Sequence, residues 1–175
     1  ITAHALTIAA KAQSYEYNGA NQGPAGTYTN GFDTYVTVTG LQGSDALSSI
    51  TMAGSKRDVN TYTNEIVPSA AEVGANTGNY TISYTPADLT ITAHALTIAA
   101  KPQTYEYNGA NQGPAGTYTS GCDTYVTVTG LQGTDALSSI TMAGSKRDVN
   151  TYTNEIVPST AEVGANTGNY TISYT

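Results

Sequence analysis

Leu89-Thr90-Ile91-Thr92-Ala93-His94-Ala95-Leu96-Thr97-Ile98-Ala99-Ala100 contains no glycine, proline or serine, and its apolar residues change parity halfway along. Leu89, Ile91 and Ala93 fall on odd positions, whereas Leu96, Ile98 and Ala100 fall on even ones. Successive side chains of a strand point to opposite faces, so one strand cannot bury both sets in one small core. The stretch therefore predicts a continuous extended segment of about 40 Å, at about 3.3 Å per residue. Its first half closes one domain and its second half opens the next on the opposite face. It lacks the composition of a flexible linker, so consecutive domains are expected end to end in a stiff, elongated rod.

Working outward, residues 1–10 return unchanged as residues 91–100, which sets a period of 90. Over positions 1–85 and 91–175 the copies differ at six sites: Ala12/Pro102, Ser14/Thr104, Asn30/Ser120, Phe32/Cys122, Ser44/Thr134 and Ala70/Thr160. A unit of this length can hold its own core, unlike the shorter solenoid repeats that must stack. Two domains are expected, 1–92 and 93–175, sharing the junction 89–100. The second has no counterpart of Pro86-Ala87-Asp88-Leu89-Thr90 and so is expected to lack its final strand. Ile1-Thr2-Ala3 repeats Ile91-Thr92-Ala93 and reads as the tail of an upstream repeat, with any targeting signal lying elsewhere. The open sheet edge predicted in the second copy is expected to recruit a strand, such as the residue 1–6 segment of a neighbouring molecule, or to leave that domain the less stable.

Each repeat reads as mainly β. Tyr80-Thr81-Ile82-Ser83-Tyr84-Thr85 and Tyr35-Val36-Thr37-Val38-Thr39 alternate large apolar with hydroxyl residues of types that suit a half-buried pleat. A further strand ends at Tyr15-Glu16-Tyr17-Asn18-Gly19, where Asn-Gly supplies positive φ for a turn. Weaker strands are expected at 27–29, 49–52 and 61–67. Two short helical turns are plausible alternatives to loop. In one, Ser44 caps a turn carrying Leu47 and Ile50; in the other, Ser69-Ala70-Ala71-Glu72 resembles a capping box closed by Gly74.

Composition excludes several functions. The 175 residues carry 6 Lys+Arg against 13 Asp+Glu, for a formal charge of −7, which opposes binding to nucleic acid. No stretch approaches the roughly 20 apolar residues of a membrane helix, so insertion is not expected. His4 and His94 occupy equivalent strand positions with no second ligand nearby, and exposed junction histidines are the preferred reading. Cys122 replaces Phe32 and has neither a histidine partner nor a second cysteine, so a small apolar substitute is expected. Asp58, Asn60 and Asn64 match three places of a calcium loop, but Tyr62, Thr63 and Ser69 break the rest of the pattern. The sequons Asn79-Tyr80-Thr81 and Asn169-Tyr170-Thr171 are ascribed to chance. Lys11 shares parity with Thr7 and Ala9, away from Leu6 and Ile8, and reads as solvent-facing rather than as the buried amine of an isopeptide cross-link. No catalytic, cofactor-binding or metal residues are assigned.

The blocks Ala5-Leu6-Thr7-Ile8-Ala9-Ala10-Lys11, Val36-Thr37-Val38-Thr39-Gly40-Leu41-Gln42-Gly43 and Gly78-Asn79-Tyr80-Thr81-Ile82-Ser83-Tyr84-Thr85-Pro86, leading into Leu89-Thr90-Ile91-Thr92, resemble MBG domains. The family often has Tyr-Gly after its first strand, where this chain has Tyr17-Asn18-Gly19. The resemblance implies tandem repeats of a secreted, bacterial cell-surface adhesin-like protein. It also implies a β-grasp-like module, with an immunoglobulin-like sandwich as the alternative, and no enzymatic residues. Two functions follow as expectations. The repeats are a cell-wall stalk that projects a distal binding domain, with neighbouring repeats as their contacts, or they bind mucin, glycan or a host protein weakly and multivalently.

Overall fold

In a computed structural model describing all 175 residues, the alternation around Leu6 and Ile8 yields β1 (His4–Ala10) with both side chains free of solvent. β1 lies at the centre of a three-stranded sheet. On one side it pairs antiparallel with β4 (Val36–Thr39), in the register Thr7 to Thr39 through Ala10 to Val36. On the other it runs parallel to β7 (Tyr80–Thr85), from His4 opposite Tyr80 to Ala9 opposite Thr85. Gly40 closes the β4 end at φ 108°, where a Cβ would stand 2.3 Å from the Ala5 carbonyl oxygen, so only glycine fits the turn.

Parallel partners need a long connection, and here that connection builds a second sheet. It contains β2 (Gln13–Glu16), β3 (Gly26–Tyr28), β5 (Ser49–Ala53), β6 (Asn60–Glu72) and β8 (Ala87–Thr92), in the order β2-β8-β6-β5-β3. β6 also packs against β1 and β7, which joins the two sheets. Ile50, Ile66, Leu89 and Ile91 complete the core with Leu6 and Ile8.

The 13-residue β6 is broken twice by shifts in register. At each, one residue takes a left-handed conformation: Asn64 at φ 55° and Ala70 at φ 47°. Such bulges free backbone groups from the ladder. The Ala71 N–H donates instead to the Tyr84 hydroxyl at 2.9 Å, and the Asn64 N–H to Asp88 Oδ1 at 2.9 Å.

Two sequence expectations change here. Ser69-Ala70-Ala71-Glu72 is neither helix nor loop but the bulged end of β6, because Pro68 and Ser69 pair with Met52 and Thr51 of β5. Residues 44–48 form no helix. Ser48 instead ties this loop to the end of β6, accepting from the Gly74 N–H and donating to the Glu72 carbonyl, both at 2.9 Å. The helical pieces are instead 3₁₀ turns, Phe32–Thr34 and Gly74–Asn79.

Contacts divide the chain into two compact units, Ile1–Glu16 with Ala20–Thr92, and Tyr17–Gly19 with Ala93–Thr175. In the second, β9 (His94–Ala100) lies between β11 (Val126–Thr129) and β14 (Tyr170–Tyr174), in the registers seen for β1. β10 (Gly116–Tyr118), β12 (Ser139–Ala143) and β13 (Val157–Glu162) form the other sheet. This sheet has three strands where the first unit has five. Residues 103–106 and 150–156 match β2 and the first half of β6 in sequence except at Thr104, yet both lie outside any strand. The extended run that predicted the junction is divided at Ala93. Leu89 and Ile91 on β8 are buried in the first unit, and Leu96 and Ile98 on β9 in the second.

Candidate interaction surface

The polar groups of each unit converge on one aspartate at the end of the parallel ladder. Asp45 accepts hydrogen bonds from the Tyr80 hydroxyl at 2.6 Å and the Asn76 amide at 2.7 Å. The Tyr80 oxygen in turn accepts the Gln42 N–H at 3.0 Å. The Gln42 side-chain nitrogen lies 2.9 Å from His4 Nε2, and the His4 ring stands edge-on to Tyr80, 6.5 Å between centroids.

The second unit repeats the arrangement around Asp135, with Tyr170 at 2.5 Å, Asn166 at 2.6 Å and the Gln132 nitrogen 2.8 Å from His94 Nε2. Tyr17, which belongs to this unit, adds a third donor to Asp135 at 2.8 Å and sets its ring edge-on to Tyr170, 5.4 Å away. Burial, and then donation to Asp135, push the Tyr170 hydroxyl up to about 12. Donation to Asp45 is the leading cause that raises Tyr80. A hydroxyl held this firmly protonated donates a hydrogen bond and does not act as a base near neutral pH. The histidines are thus bound to glutamine amides, which sequence reading did not anticipate. The only linear signal is a Gln-Gly-Ser/Thr-Asp run far from its tyrosine.

The other residues singled out by sequence are dispersed. Lys11 and Lys101 reach out to the carbonyls of Asp33 and Asp123 in the 3₁₀ turns. The Asp58 carbonyl accepts the Tyr62 hydroxyl, and Asn60 Oδ1 the Thr61 N–H, each at 2.8 Å, so these positions serve a local turn. No three His, Cys, Asp or Glu side chains come together. Asn169 of the second sequon is buried. Cys122 is buried too, and its thiol points at the Tyr118 carbonyl at 3.5 Å.

An exposed, partly apolar groove lies in the second unit. It measures about 430 Å³ and runs between residues 103–106 and 150–156. Tyr105 is 46% exposed, Tyr152 38% and Val149 86%. Ile156 is half-buried, whereas its counterpart Ile66 is fully buried. The rim is firmly built: Lys146 pairs with Glu155 at 3.0 Å and lies 5.4 Å over the Tyr152 ring. Gln112 and Lys146 exchange backbone hydrogen bonds at 2.9 Å. The first unit holds the same Lys56–Glu65 pair at 3.1 Å, so the rim does not account for the groove.

No helix is long and apolar enough to cross a membrane. Comparison with protein-family models, curated proteins and solved structures finds no match.

Proposed function

We propose that these repeats are structural spacers of a bacterial surface adhesin, holding a distal binding domain away from the cell wall to which regions outside this sequence attach it. The observation that carries the reading is the repetition of one strand scheme, in the same registers, in two units of near-identical sequence. In such a spacer, reach would scale with repeat number. The paired sheets and the lack of any helix beyond a 3₁₀ turn favour a sandwich-like module over a β-grasp. The resemblance to MBG repeats supports a surface location.

Solution scattering tests the reading. A two-unit chain held end to end has a maximum dimension on the order of 80 Å or more, given compact units of this size. Arrays of four and six repeats should lengthen in proportion. A dimension that stays near that of a folded-back pair would refute the spacer.

A second reading, weak multivalent adhesion to mucin or glycan, draws on the exposed rings of Tyr105 and Tyr107. Saturable, salt-resistant binding of the immobilised chain to a glycan panel, lost on Tyr105→Ala, would favour it.

A further inference from the structure

The two units set one aromatic side chain beside its replacement on a matching backbone. Phe32 and Cys122 begin equivalent 3₁₀ turns, Phe32–Thr34 and Cys122–Thr124. Each turn follows a left-handed glycine, Gly31 at φ 66° and Gly121 at φ 62°. Each closes with the same hydrogen bond, from the Tyr35 N–H to the Phe32 carbonyl at 2.8 Å and from the Tyr125 N–H to the Cys122 carbonyl at 3.0 Å. Lys11 and Lys101 hold the two turns alike, through the Asp33 and Asp123 carbonyls. The second unit thus lacks a phenyl ring while its turn keeps the conformation built around one. Removing a large side chain leaves a cavity where the surroundings relax only in part.

That space is a pocket of about 460 Å³, with Ser120, Cys122, Val126, Val128 and Leu137 among its walls. Leu47 is only 8% exposed in the first unit, whereas its counterpart Leu137 is half-buried. Val36 and Val126 are both 1% exposed, so the uncovering is confined to the place of the missing ring. Asn30/Ser120, another of the six differences between the copies, falls on the same wall. β11, the 3₁₀ turn and the loop carrying Leu137 all have counterparts in the first unit, so the pocket follows from the residue at position 122.

We propose that this pocket binds a small uncharged molecule carrying a phenyl ring, which takes the place that the Phe32 side chain holds in the first unit. Val126, Val128 and Leu137 supply apolar contact, and the Cys122 sulfur adds a polarisable one. Apolar cavities left by truncated side chains stay dry and admit ligands of the size of benzene. Lys101 and Asp123 both border the pocket with opposite charges, which favours a neutral ligand over an ion. The Cys122 thiol is turned to the Tyr118 carbonyl at 3.5 Å, and the binding is non-covalent. The pocket would take such a ring whether or not the repeats act as spacers.

Titration of the isotope-labelled full chain with toluene, followed by proton–nitrogen NMR, tests the proposal. Residues 120–128 and 137 should shift saturably, while 30–38 and 47 stay in place. Cys122→Phe installs the ring that the first unit already accommodates at this position, so the chain should remain folded and bind toluene about tenfold more weakly or not at all. Phe32→Cys should open a second site of the same kind in the first unit. Absence of saturable shifts, equal shifts in both units of the unaltered chain, or undiminished binding by the Cys122→Phe variant would overturn the proposal.

Discussion

Thr160 holds φ 47°, a left-handed conformation in which a β-branched residue is under strain, at the bulge where Ala70 holds the same angle in the first unit. The left-handed region costs an L-residue roughly 1–2 kcal/mol, and glycine escapes most of that penalty. Thr160→Gly should therefore stabilise the second unit by about 1 kcal/mol in urea unfolding, and Ala70→Gly the first by somewhat less. No gain in either would mean that the bulge relaxes in solution.

Tyr170 supplies a second residue-scale expectation. Its hydroxyl titrates near 10 when unfolded and near 12 when folded. The folded state thus holds the proton more tightly between those values, and stability falls as pH rises through them. The contribution is complete below about pH 10 and is lost by about pH 12. Alkaline melts of the Tyr170→Phe variant should show a shallower decline over that window; an unchanged slope would assign the alkaline sensitivity elsewhere.

Among elements, β8 bears the most. Leu89 and Ile91 are buried between β2 and β6, and truncation of a buried leucine typically costs 2–5 kcal/mol. Leu89→Ala should destabilise the first unit by that amount and leave the second unit's transition in place, as two-transition fits to a denaturant curve would show. β7 was legible in the sequence to its last residue, because Tyr80 to Thr85 alternates cleanly and lies between a 3₁₀ turn and Pro86. The end of β6 was not. Ser69-Ala70-Ala71-Glu72 carries the spacing of a capping box, and nothing local reveals that Tyr84, on another sheet, waits to accept the Ala71 N–H. The Asp45 and Asp135 networks escaped notice for the same reason, since they join residues 35 apart whose meeting depends on a parallel pairing. The parity change across Ala93, by contrast, could be read directly, because which face of a strand is buried is written in every second residue.

At the scale of the chain, near-identical sequences are built into different sheets. One unit has a five-stranded sheet and the other a three-stranded one, with an isoleucine partly uncovered. Calorimetry should resolve two transitions, the lower one assigned by Thr160→Gly to the second unit, and a single cooperative transition would contradict the separation.

The parallel pairing of β9 with β14 has a mechanical consequence. The two strands run side by side, from His94 and Tyr170 to Ile98 and Tyr174, so the start of β9 and the end of β14 lie at opposite ends of the ladder. The ladder is prolonged by the Thr175 N–H to Ile98 at 3.0 Å and the Ala100 N–H to Thr175 at 2.7 Å. Tension applied between the start of β9 and the end of β14 therefore drags these strands past each other along their length. The rungs bear the load together, in shear, and do not open one at a time like a zip.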